Sequence, residues 1–138
     1  MSRYVGLDYG NARIGVAVSD ESGQFARPHG VIRHSGWGPT ARAVVQFMRD
    51  VQADAIVLGL PYTMEGELGG QAQEVLGFCE VLKGQGVSVI LQDERLSSFE
   101  AEERLRARGK SIAEAKALVD QEAAAIILQT WLDENRVN

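Results

Sequence analysis

The sequence predicts an α/β domain built on a mixed five-stranded sheet with helices on both faces, in the order β-β-β-α-β-α-β-α-α. Three observations lead there. Up to Arg33 the chain holds three short strand-like runs separated by turn residues. Beyond that point, apolar runs of strand length alternate with stretches of helical periodicity, which is the pattern of parallel strands joined by right-handed crossovers. Finally, residues 123–128 near the C-terminus are apolar all round, so the last helix must pack on more than one side. No repeat, linker or low-complexity segment divides residues 1–138, which read as one domain.

The first strand, Arg3 to Tyr9, is an apolar run that presents Asp8 at its exit. An acid there is expensive to bury and belongs at a rim, where a cation or substrate offsets its desolvation. The turn Tyr9-Gly10-Asn11 leads into a second strand, Arg13 to Ser19, which makes a hairpin with the first. Asp20 to Gly23 supplies the next turn, and Phe25–Arg33 is a weaker third strand interrupted by Pro28. His34 to Gly38 reads as a loop holding Trp37.

A helix then opens with Pro39 in its first turn and carries the stripe Ala41, Val44, Val45 and Met48. Ala55–Leu60 is continuously apolar, as a buried parallel strand should be. After Pro61 comes a Gly-rich loop, 62–70, and a second helix with Ala72, Val75, Leu76, Cys79 and Leu82 on one face. The fifth strand, Val87 to Leu91, runs out into Gln92-Asp93-Glu94-Arg95. Ser97 with Glu100, and Ser111 with Glu114, form capping boxes for the last two helices, which span roughly 98–107 and reach to about 134.

At 138 residues, 45% hydrophobic and 24% charged, the composition is that of an ordinary soluble domain. No apolar run approaches the roughly 18 residues of a membrane span, and the N-terminus lacks a signal-peptide pattern. The lone cysteine, Cys79, excludes an internal disulfide and a Cys-based zinc cluster, and its place on an apolar helix face makes it a core thiol. A cytoplasmic protein is expected. The net charge of −5 speaks against indiscriminate binding of nucleic acid over the whole surface. Arg104, Arg106, Arg108 and Lys110, however, form a segment without an acid, suited to tracking a phosphate backbone.

Strands one, four and five leave the sheet at the same edge, where ligands of open α/β sheets bind. Asp8, the 62–70 loop and Asp93/Glu94 therefore converge there. Asp120 lies on the small apolar stripe Ala123, Ala124 and Ile127 and should face inward, while periodicity leaves Glu122 open as well. Carboxylates without His or Cys partners suit hard cations, Mg²⁺ or Mn²⁺, and a pair of such ions supports phosphodiester hydrolysis without a protein nucleophile. His29 and His34 have no base–orienter spacing and are expected at the surface.

The stretch 8–20, Asp-Tyr-Gly-Asn-Ala-Arg-Ile-Gly-Val-Ala-Val-Ser-Asp, resembles the opening motif of the YqgF family, also called RuvX, of pre-16S rRNA nucleases. Leu58-Gly-Leu-Pro61 with Gly66 and Gly70-Gln-Ala72 resembles its second motif. Residues 93–102 resemble the third and 119–129 the fourth, so the likeness covers nearly the whole chain in order. It implies an RNase H-like fold and a metal-dependent endonuclease acting in 5′-end maturation of pre-16S rRNA. By the same resemblance Asp8, Glu94 and Asp120 are the catalytic, metal-binding acids for two Mg²⁺ or Mn²⁺ ions, with Asp93 in support. Arg13 and Arg95 stand at the motif arginines and are expected to contact phosphate or orient the acids. Thr63 and Glu65 depart from the second motif, where Asn and often Asp are expected.

Structured RNA in a ribosome-assembly setting is therefore the expected partner, with branched DNA cut by a Holliday-junction resolvase as the nearest alternative. Junction resolution needs two active sites; a monomer or weak dimer is expected here. A phosphotransferase of the actin and sugar-kinase kind shares the Asp-x-Gly hairpin but needs two such domains. A non-catalytic assembly factor is the remaining alternative, opposed by the presence of all three acids.

Overall fold

A computed structural model describes residues 2–61, 68–94, 97–109 and 118–136, with the backbone alone at 97–99. The strands are β1 (Tyr4–Tyr9), β2 (Arg13–Ser19), β3 (Ala26–Arg33), β4 (Ala55–Leu60) and β5 (Val89–Asp93). The helices are α1 (Trp37–Val51), α2 (Gly70–Gly84), α3 (Ser97–Ala107) and α4 (Val119–Glu134). The sheet order is β3-β2-β1-β4-β5. The β1–β2 and β2–β3 pairs are antiparallel, and β1–β4 and β4–β5 are parallel. This is the predicted element order and the predicted mixed sheet.

Alternation along the central strands divides their side chains between two layers. Val5, Leu7, Ile14, Val16, Ile56 and Leu58 pack with α1 and α2, around the fully buried Phe78 and Leu82. On the other face Ala17 and Val57 meet Ala124, Ile127 and Leu128 of α4. Ile127 and Leu128 are almost completely buried, which stabilises the fold by about 1.5–3 kcal/mol for each such side chain. The helix lies close because glycine stands beneath it on three strands. A Cβ on Gly6 would come within 2.8 Å of the Ala124 carbonyl, and one on Gly59 within 2.6 Å of Ile127. One on Gly15 would run into the backbone of Asp120.

Several boundaries differ from the sequence reading, and β1 and β3 each begin one residue later than expected, at Tyr4 and Ala26. The fifth strand begins and ends two residues later, at Val89 and Asp93, so Asp93 is in the ladder and Glu94 follows it. Trp37 is the first residue of α1 rather than part of a loop. Ser97 is already helical, which puts the proposed Ser97–Glu100 cap one position inside the helix. The second capping pair, Ser111 and Glu114, lies outside the described residues. Pro28 is accommodated because β3 is an edge strand and its register slips beside it, with Ala17 opposite Pro28 but Val16 opposite Gly30. Among the described residues no helix is long and apolar enough to cross a membrane.

Candidate active site at the sheet edge

Asp8 comes second to last in β1, and alternation puts it on the α4 face, opposite Leu7 and Tyr9 of the α1/α2 core. Its partner across the β1–β2 ladder is Gly15. Because the backbone of Asp120 rests on Gly15, the first turn of α4 sits beside Asp8. Glu94 arrives from the other side. Its N–H donates to the Leu60 carbonyl at 3.2 Å, and its Cγ lies where a Cβ on Gly59 would approach to 2.9 Å. Asp93 is paired with Leu60, a residue of the α1/α2 core, and so points to the other face. One residue of strand register separates the two neighbouring acids into different layers.

Asp8 is only 8% exposed. Burial, first, and then the charges of Glu94 and Asp120 hold its carboxyl well above the usual range. Asp120 accepts a short hydrogen bond and ion pair from Arg13 Nε. Carboxylates from the β5 exit and α4 thus both act on the one from β1 at one sheet edge. Their oxygen donors and unbalanced charge at Asp8 fit a hard cation. Among the described residues no three acids, histidines or cysteines are already drawn together as a closed metal site, and Arg13 occupies Asp120. Cation binding at this edge therefore has to compete with the Arg13 pair.

Glu122 does not turn toward this edge. It is buried against α3 and paired with Arg108 Nη2. Asp120 and Glu122 are two helix positions apart, roughly 200° around the axis, which explains their separate destinations. The basic segment is divided in the same way: Arg108 neutralises Glu122, Arg106 pairs with Glu103 at 2.6 Å, and Arg104 is exposed with no ion pair to any described residue. Arg95, Lys110 and positions 62–67 of the Gly-rich loop lie outside the described residues. Sequence reasoning passed over Arg33, the exposed cross-strand partner of Arg13 at the same edge. Only the register of the β2–β3 hairpin reveals it.

His34 departs from the surface position expected of it. It is half-buried, with Nε2 2.9 Å from Tyr9 Oη and Nδ1 2.9 Å from Thr40 Oγ1. Trp37 Nε1 donates to the same Tyr9 hydroxyl at 2.9 Å. His29 is exposed, as expected, and its ring lies 4.6 Å from that of Phe47 at a tilt of 47°. Cys79 is the buried core thiol foreseen, and burial pushes its pKa up.

A mixed five-stranded sheet of this order, covered by helices on both faces, is an RNase H-like fold. Over the full chain the structure superposes on Thermus thermophilus RuvC, solved in complex with a Holliday junction substrate, with a TM-score of 0.58 at 20% identity and 99% coverage of that chain. The profile of the RuvX family, described as Holliday junction resolvase, matches residues 2–134. The chain belongs to the RuvX family, a family of nucleases. A relative from Anaeromyxobacter sp. (strain Fw109-5), named "Putative pre-16S rRNA nuclease", is 46% identical over 95% of this chain and 96% of its own length. One of the same name from Synechococcus elongatus is 41% identical over 96% of this chain and 89% of its own.

Proposed function

We propose that this protein is a metal-dependent endonuclease that hydrolyses phosphodiester bonds in the 5′-end maturation of pre-16S rRNA. The observation that carries the reading is the meeting of Asp8, Glu94 and Asp120 at one sheet edge, with Asp8 pushed toward protonation by its burial and then by its two neighbours. These three carboxylates would hold Mg²⁺ or Mn²⁺, in two sites. When bound, such ions neutralise charge on the phosphodiester and supply an activated water. Asp8 is fixed by the ladder and by its burial, so it contributes a rigid ligand. Arg13 orients Asp120 and, once that carboxylate turns to a cation, is free to contact a phosphate oxygen. Arg104, exposed on α3, would add a further phosphate contact, and the chain acts as a single cytoplasmic domain, a monomer or weak dimer.

The test is cleavage of a labelled pre-16S rRNA 5′-leader with Mg²⁺ or Mn²⁺, beside a four-way DNA junction. Asp8→Asn, Glu94→Gln and Asp120→Asn are each expected to lower the RNA cleavage rate by roughly 100-fold or more, as does removal of one preorganised electrostatic group in other sites. Cutting confined to the junction would transfer the assignment to a branched-DNA resolvase, in line with the family description. Cutting of neither substrate, with RNA still bound, would leave a non-catalytic assembly factor.

A further inference from the structure

We propose that Trp37 is a stacking platform for an unpaired base of the substrate, flanked by the phosphate-contacting arginine Arg42, with Arg33 across the sheet edge beside Arg13. Trp37 is 41% exposed, unusual for the largest side chain in a domain with a well-formed core. Yet the ring is fixed. Its Nε1 donates to Tyr9 Oη, and Tyr9 is held in turn by His34, which Thr40 fixes from the other ring nitrogen. The indole also lies over Gly77 of α2, so closely that a Cβ there would approach its Cζ2 to 2.8 Å. A rigid, partly exposed aromatic stacks a base at little entropic cost, which a mobile one does not.

Its position gives the platform a purpose. Tyr9 follows Asp8 directly on β1, and Trp37 is tied to Tyr9, so the indole stands at the same sheet edge as the acids but over the opposite face. A chain crossing this edge would meet the acids and the indole in turn. The surroundings are cationic although the protein is acidic overall: residues 22–49 contain Arg27, Arg33, Arg42 and Arg49 and no Asp or Glu. Arg33 is exposed beside Arg13. The Arg42 guanidinium reaches back along α1, to 3.5 Å from where a Cβ on Gly38 would stand, next to Trp37. Neither Arg33 nor Arg42 forms an ion pair with a described residue. Stacking is possible only for a base outside a duplex. The protein should therefore favour RNA that is single-stranded next to the cut. This rests on the nuclease reading for the choice of ligand, not for its geometry.

The experiment measures equilibrium binding in metal-free buffer of a short unstructured oligoribonucleotide and of a blunt-ended RNA duplex, without a loop, with the same number of phosphates. Trp37→Ala should weaken single-strand binding by roughly 10-fold or more, the scale of one lost base–aromatic stack. Duplex binding should change less than about twofold, since phosphate contacts supply it. Trp37→Phe, which loses the Tyr9 bond but keeps a ring, should recover most of the difference and guards against a folding defect. In a Trp131→Phe background, emission from Trp37 should be quenched by the single strand and not by the duplex. Equal losses on both RNAs, or no loss and no quenching, overturn the proposal. Wild-type protein that stacks single-stranded RNA but cleaves nothing would defeat the endonuclease reading and leave this one standing.

Discussion

At Asp8 the cost of the site is concentrated in one side chain. Its carboxyl is buried and faces Glu94 and Asp120, so the folded chain holds the proton to a pH at which the unfolded chain has released it. Below the ordinary carboxylate range both states are protonated and nothing is lost. As the pH rises through that range the unfolded state ionises first, and stability falls until the raised native pKa has been passed. Asp8→Asn removes this penalty. In urea denaturation at neutral pH without divalent ions, that variant should be more stable than wild type by about 1–3 kcal/mol, the usual cost of burying an uncompensated polar group. The gain should vanish toward pH 3. A variant less stable than wild type at neutral pH would show that Asp8 is compensated in the native state, contrary to this account.

Helix α4 is the element that assembles the edge, and glycine sets how close it comes. The carbonyl of Asp120 occupies the space a side chain on Gly15 would need. The obstacle is backbone, which cannot turn aside as a side-chain tip can. Gly15→Ala should therefore push the first turn of α4 outward, costing about 1–3 kcal/mol by overpacking. Because Asp120 is in that turn, cleavage should fall far more than stability does. Measuring both on one preparation separates the effects: equal stability with unchanged cleavage would show that α4 does not need its present distance from β2. The far end of the helix is anchored independently, since Gln129 bonds the Ala26 N–H at 2.8 Å and the Gln24 carbonyl at 2.9 Å. The shift should stay local to the site.

For the whole molecule, the proposed metal site at the edge would link folding to cation binding. A cation that binds the native site and not the unfolded chain raises stability by RT ln(1 + [L]/Kd), about 2.7 kcal/mol at a hundredfold excess over Kd. Mg²⁺ or Mn²⁺ should raise the Tm of wild type, and Glu94→Gln or Asp120→Asn should reduce the rise. Equal shifts in all three proteins would mean that the ions act elsewhere. The molecule is thus organised as a sheet covered by helices on both faces, with its electrostatic strain at one edge, where α4 meets β1 and β2 and the β5 exit arrives.

Much of this was legible in the chain itself. Apolar runs of strand length, helical stripes and turn residues determined the order of elements and hence the mixed sheet, because these signals are local and repeat with the period of the structure they specify. The exit of β1 likewise marked Asp8 as a rim acid, since an apolar run must end where its polar neighbour can be solvated or paired. Local signals did not determine which of two adjacent acids faces Asp8. A strand boundary misplaced by two residues hid that Asp93 belongs to the ladder, and the period of two makes each single position a change of face. Nor could periodicity on α4 separate Asp120 from Glu122, because the helix is covered by the sheet on one side and by α3 on another. Tertiary structure decided both, through the register of β4 with β5 and the seat of α4 on Gly15. It also brought Arg33 beside Arg13 and Trp37 onto Tyr9, contacts between residues distant in sequence that no local pattern encodes.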